Sequence, residues 1–340
     1  MNPLFVSVGP VAIYPNSKSI VKSKVATGVW CEPKPDLVTG RVKKWAEAAK
    51  VETIRVPGYW YSSPQSQVPA DARAQPNEKV FFHLHGGAYV MGSASPSQTA
   101  TPMAKGLLEQ TNTVNRVFSL EYRISSSAPF PVANPFPAAL IDALTGYNYL
   151  ITELGFEPDN IIIIGDSAGG HLALTLLRYL VETSVLPVPG SFIGSSPLCD
   201  LTSSHLANQD SSLEFETDIL TRLDKGFFGW AWMAFAGPLH DDATDGPTKN
   251  PYLSPASLSS DIEATISFEG FPSTFLVSGG VERMRDDVRT LKERMVRDMG
   301  EGKVTTYEAP DGLHDFLLFD WHEPERTEAF GLISRWIDKE

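Results

Sequence analysis

Cysteine is nearly missing from this 340-residue chain: there are two, Cys31 and Cys199. Two cannot build the disulfide framework of a small secreted scaffold, and they leave room for at most one bridge. Positive charge is also short. Lys and Arg number 28 against 41 Asp and Glu, for a formal net charge of −13. No basic stretch offsets this balance, which argues against nucleic acid as a partner and against adsorption to anionic membranes. No apolar run approaches the ~18 residues of a membrane span. Met1 to Tyr14 carries no basic region followed by a long apolar core, and no Asn-x-Ser/Thr site occurs anywhere. These absences predict a cytoplasmic protein without a signal peptide. No internal repeat or low-complexity linker is visible.

What is present is ordinary for a globular enzyme, with 42% hydrophobic and 20% charged residues. Strands are predicted at Thr53–Trp60, Lys79–Leu84, Arg116–Tyr122, Ile161–Ile164, Ser191–Ser195, Phe271–Ser278 and Lys303–Ala309. Helices are predicted around Leu37–Lys50, Pro96–Gln110, 136–154, His171–Val181, Asp286–Met299 and Glu323–Glu340. That alternation implies an α/β fold, a mostly parallel sheet covered by helices on both faces. Residues 1–50 are irregular and contribute no predicted strand. Residues 199–255 also break the alternation, and they hold Phe227, Phe228, Trp230, Trp232, Met233 and Phe235 within a short stretch. The two segments are expected to form a helical lid, 1–50 as its N-terminal part and 199–255 as its second part. The catalytic core would then be 51–198 and 256–340.

The chemistry centres on Ile161-Ile-Ile-Ile-Gly-Asp-Ser-Ala-Gly-Gly170. A strand this apolar is covered on both faces. The Gly165, Ser167 and Gly169 spacing is the Gly-x-Ser-x-Gly pattern, which puts a serine at the apex of a sharp strand-to-helix turn. A serine hydroxyl needs a base to take its proton. Of the seven histidines, His314 lies five residues past the Lys303–Ala309 strand, where a catalytic base belongs in an open α/β sheet. His171, one turn after Ser167, should point into the fold. His85 should orient the loop at Gly86–Gly87. His205 and His240 are expected to be solvated and His322 exposed. His83 and His85 lack a convincing third ligand, so no metal is expected.

The acid that orients the histidine should follow the Phe271–Ser278 strand. Glu282 sits in that turn, and Asp286 is the alternative acid. Donors for a developing oxyanion are expected from the backbone of Gly86, Gly87 and Ala168.

His85-Gly86-Gly87-Ala88 resembles the His-Gly-Gly-Gly motif of the hormone-sensitive-lipase family of α/β-hydrolases, with Ala88 at the third glycine. Gly165-Asp-Ser-Ala-Gly-Gly170 is similar to that family's nucleophile motif at every position. Tyr122-Arg123, Phe136-Pro-Ala-Ala-Leu140 with Asp142, and 311–316 resemble three further family stretches. Glu282-Arg-Met-Arg-Asp286 stands where the family has Asp-Pro-Leu-Arg-Asp, with glutamate at the acid position. The resemblance implies a serine carboxylesterase for short- to medium-chain esters, working through an acyl-enzyme on Ser167, with a two-part lid and no cofactor. It also admits a catalytically silent small-molecule binder, as in the plant gibberellin receptors, and an acyltransferase or lactone hydrolase using the same triad. The expected partner is a small-molecule ester, and a homodimer stays open.

Overall fold

The computed structural model describes residues 20, 26–66, 68–96 and 100–340. Most of the first 25 positions, part of the expected lid segment, lie outside the described residues, as do 97–99 at the start of the expected Pro96–Gln110 helix. Among the described residues the strands are β1 (Thr27–Cys31), β2 (Val56–Ser62), β3 (Lys79–Leu84), β4 (Val114–Leu120), β5 (Ile161–Asp166), β6 (Ser191–Ser195), β7 (Ser273–Gly279) and β8 (Val304–Ala309). They form one sheet in the order β1-β2-β4-β3-β5-β6-β7-β8. Pairing is parallel from β4 through β8 and antiparallel on both sides of β2. β5 is therefore central. Its Ile161 and Ile163 enter the apolar cluster on one face, and Ile162 and Ile164 the cluster on the other. That is the period-two geometry of a strand, here with both faces dry.

The main helices are α1 (Gly40–Ala49), α2 (Ala100–Gln110), α3 (Ala138–Asn148), α4 (Ala168–Thr183), α5 (Gly226–Ala236), α6 (Ser260–Thr265), α7 (Arg285–Met299) and α8 (Glu325–Ile337). Among the described residues none is long and apolar enough to cross a membrane. Cys31 and Cys199 are both buried and unbridged.

One expectation is corrected. The 1–50 segment does supply a strand of the main sheet, since Thr27–Cys31 pairs with Val56–Trp60 at the edge. An edge strand needs only partial burial, so Thr-Gly-Val-Trp-Cys shows no apolar run to mark it. Helix α1 of the same segment packs toward 199–255. On α1, Arg41 bonds Asp245 at 2.8 Å and Trp45 Nε1 donates to Asp245 at 3.1 Å. The Trp45 ring also meets Tyr252 edge-on. The aromatic stretch forms α5, which buries Phe228, Trp230, Trp232 and Phe235 and exposes Met233. Phe235 stacks on Tyr89 of the loop after β3, centroids 3.7 Å apart. Helix α5 thus reaches the loop beside the serine.

Candidate active site

Ser167 joins β5 to α4 at φ 48°, ψ −116°. A non-glycine residue with positive φ is strained and persists only when its surroundings hold it. Here they do. Its N–H donates to Ser195 O at 2.9 Å, and its carbonyl accepts from His171 N and Leu198 N at 3.1 and 3.0 Å. Only glycine fits at 169, because a Cβ there would lie 1.9 Å from Leu84 O. The turn leaves Oγ at the N-terminus of α4, the positive end of the helix dipole.

His314 stands in the loop after β8, its Nε2 3.0 Å from Ser167 Oγ. Glu282, fully buried in the turn after β7, places Oε2 3.8 Å from His314 Nδ1. That is an ion-pair distance beyond hydrogen-bond reach. Oε2 accepts from Ser196 Oγ at 2.5 Å, and Oε1 has no partner among the described residues. Burial pushes the Glu282 carboxyl up to about 8, opposed by the charge of His314 and the Ser196 bond. Burial would lower His314, but Asp315, then Glu282 and Asp218, outweigh it and lift the imidazole to about 9.

Asp315 is a residue that sequence reasoning passed over. Its Oδ2 lies 3.2 Å from His314 Nε2, the same nitrogen that faces Ser167. Its N–H contacts Ser196 Oγ at 3.2 Å, so Ser196 bridges Glu282 and Asp315. Its adjacency to His314 was the available signal. Asp286, the alternative acid, accepts from Ser212 N and Arg285 and has no contact with His314 among the described residues. The first turn of α7 holds it there as an ordinary helix-end acid.

The oxyanion expectation is corrected at Gly86. Its N–H donates to Asp166 Oδ2 at 2.8 Å and is therefore committed. The backbone N–H groups of Gly87, Ala88 and Ala168 have no partner among the described residues. Gly87 needs glycine, because at φ 114° a Cβ would also meet Met91 O at 2.3 Å. Ala88 follows at φ 53°. Asp166 also bonds His83 Nε2 at 3.0 Å, and His83 Nδ1 meets Ser119 Oγ at 2.8 Å. Asp166 is the second functional residue missed, although a carboxylate ending an all-isoleucine strand was visible.

His85 is held neutral by burial, its pKa lowered to about 4. Nδ1–H donates to Gly86 O at 2.7 Å, and the ring stacks on Tyr122. Tyr122 OH donates back to His85 O at 2.5 Å. The adjacent Arg123 is fixed by a buried pairing with Asp142 at 2.7–3.1 Å. The Tyr122-Arg123 and Asp142 stretches thus hold the loop that carries Gly87 and Ala88.

His171 points inward, bonding Tyr89 OH at 2.7 Å and Leu253 O at 3.1 Å. Two other histidines depart from expectation. His322 is buried, not exposed, and its Nε2 accepts from Leu313 N at 3.3 Å, bracing the His314 loop. His205 is buried between Asp200 and Asp287, not solvated, because the loop carrying it folds over α7. His240 is part-exposed beside Asp241.

Chemically, the arrangement offers a hydroxyl with a base on it, a carboxylate behind the base, and three unengaged amides nearby. A family profile described as alpha/beta hydrolase fold matches residues 81–318. Among curated proteins, the chain is 30% identical over 273 residues to esterase LipU of Mycobacterium tuberculosis, covering 79% of this chain and 80% of that one. It is 28% identical over 259 residues to an acetyl-hydrolase of Streptomyces hygroscopicus, covering 75% and 73%. A crystal structure described as a hormone-sensitive lipase from a metagenome library aligns with TM-score 0.64 at 24% identity, covering 95% of this chain and 88% of that one.

Proposed function

This chain belongs to the alpha/beta hydrolase fold family, among its hormone-sensitive-lipase-like members, and from that premise we propose a serine carboxylesterase that works through an acyl-enzyme on Ser167. It is a carboxylic ester hydrolase, as its relatives' names describe them. The observation that carries the mechanism is the 3.0 Å contact between His314 Nε2 and the Oγ of a serine held at positive φ. Ser167 Oγ attacks the ester carbonyl carbon as its proton passes to His314 Nε2. The carbonyl oxygen becomes an oxyanion facing the N–H groups of Gly87, Ala88 and Ala168. The alkoxide then leaves with the proton from Nε2. Water adds to the acyl-enzyme by the same route, releasing the acid and restoring the serine.

Glu282 is the orienting acid in this reading. Turnover has it close from 3.8 Å to hydrogen-bond distance of Nδ1, as catalytic contacts tighten in the loaded enzyme. The pairing of α1 with Asp245 and Tyr252, and the stacking of Phe235 on Tyr89, support α1 and residues 199–255 as two parts of a lid, with Thr27–Cys31 belonging to the sheet. Short- to medium-chain acyl groups are the proposed substrates. The test is labelling by an organophosphonate. One adduct per chain on Ser167, absent in Ser167→Ala, is expected, whereas a folded wild-type protein that resists labelling would favour a binding role. Rates on p-nitrophenyl esters from acetate to palmitate check chain length, and a maximum at palmitate would overturn that part.

A further inference from the structure

Asp200, His205 and Asp287 gather outside the serine site. Asp200 opens the chain beyond β6, His205 lies in the short 3-10 turn Ser204–Ala207, and Asp287 is in the first turn of α7. All three are buried, and one donor atom from each lies within 4.8 Å of the others. His205 Nδ1 is 2.9 Å from Asp287 Oδ1 and 3.6 Å from Asp200 Oδ2.

The hydrogen bonding around the cluster points outward. His205 Nε2 meets Thr290 Oγ1 at 2.9 Å. Asp200 Oδ1 accepts from Thr202 and Oδ2 from Ser204. Facing inward, His205 Nδ1 and both Asp287 oxygens have no hydrogen-bond partner among the described residues. His205 Nδ1 and Asp287 Oδ1 face each other at 2.9 Å as an ion-pair contact. A buried carboxylate without hydrogen bonds is costly, and native structures rarely leave one so.

We infer that Asp200, His205 and Asp287 hold a divalent transition-metal ion, with zinc as the best fit. Two carboxylates and a neutral imidazole balance its charge. An Nε2–H donated to Thr290 leaves the Nδ1 lone pair inward, the tautomer a ligating histidine needs. Ligand atoms about 2.0–2.1 Å from a tetrahedral zinc sit about 3.3 Å apart. The observed 2.9 and 3.6 Å separations lie on either side of that value. The imidazole donor disfavours calcium and magnesium, which take oxygen ligands. Such an ion would cross-brace the chain beyond β6 to α7, the helix that follows the Glu282 turn. It takes no part in the chemistry at Ser167, so it stands or falls apart from the esterase reading.

The test uses the full chain, stripped with EDTA and dialysed against zinc, calcium or magnesium chloride, with elemental analysis of the retained metal. One zinc per chain is expected in wild type, with calcium and magnesium not retained. His205→Gln and Asp287→Asn should hold less than about a tenth as much zinc, while the surface control His240→Gln matches wild type. Nitrogen-15 spectra of histidine-labelled wild type need no variant to fold. Zinc should leave one buried imidazole protonated at Nε2 and bare at Nδ1. Wild type that retains no zinc overturns the inference. So do His205→Gln and Asp287→Asn proteins that retain as much as wild type, or a His205 imidazolium that keeps both protons in saturating zinc.

Discussion

Two buried histidines in this protein each stand between two carboxylates, and in each case those acids outweigh burial and lift the imidazole to about 9. His314 has Glu282 at Nδ1 and Asp315 at Nε2. His205 has Asp200 and Asp287, both at Nδ1. Acid and base side chains alone would not tell the two sites apart. The difference lies in what the far nitrogen meets. For His205 it is the hydroxyl of Thr290, inside a regular helix. For His314 it is the hydroxyl of Ser167, on a strained turn with free amides beside it. In the proposed mechanism, the backbone at the hydroxyl is what makes one cluster reactive and leaves the other structural.

The sharpest break of this comparison is deletion at each side. Ser167→Ala or His314→Ala should lower kcat by up to about 10^6-fold, measured on a p-nitrophenyl ester. His205→Gln should cost stability, about 3 kcal/mol or more in urea unfolding without added metal, because two buried carboxylates lose their counter-charge. The fraction that remains folded should keep kcat within about threefold. A catalytic collapse in His205→Gln at full folding would erase the distinction.

The carboxylates come next. Glu282→Gln should depress kcat by roughly 10^3–10^4 with little change in melting temperature, since the imidazole loses its orienting charge. Asp286→Asn should stay within about threefold of wild type; the reverse ranking would reassign the acid.

A third prediction concerns pH. In the proposed mechanism His314 acts as base only when unprotonated, and a raised pKa means a smaller unprotonated fraction at neutral pH. With the value at about 9, that fraction at pH 7 is on the order of one in a hundred, so kcat/KM should climb between pH 7 and 9. Asp315 favours the protonated form. Asp315→Asn should therefore move the acid limb to lower pH by about one unit, read from the kcat/KM profile. A limb that stays in place would remove Asp315 from the electrostatics of His314.

The smallest effect is expected from Thr290→Val. Losing the hydroxyl at His205 Nε2 should cost about 1 kcal/mol in unfolding free energy and leave the ester profile unchanged.

These contrasts also mark what the chain reveals before it folds. The β5–Ser167–α4 unit was legible because the isoleucine run and the glycine spacing are local. The positions of His314 and Glu282 were legible because each follows a strand that its own periodicity announces. The Asp166–Gly86 bond was not, since it joins residues 80 positions apart. The edge strand β1 escaped because it is short and only partly buried. The burial of His205 escaped because 199–255 has little regular periodicity, and its place is set by contacts with α7.

The bond from Asp166 to Gly86 bears on how this protein tolerates change. It works as a calliper, one jaw at the residue beside Ser167 and the other at the loop that carries Gly87 and Ala88. The gap between nucleophile and amides is then gauged by Asp166, with His83 clamping it from behind. The loop need not depend on glycine at every position to keep its station. The methyl group of Ala88 rides on a setting made elsewhere, and in the proposed mechanism that setting fixes the distance across which the reaction occurs.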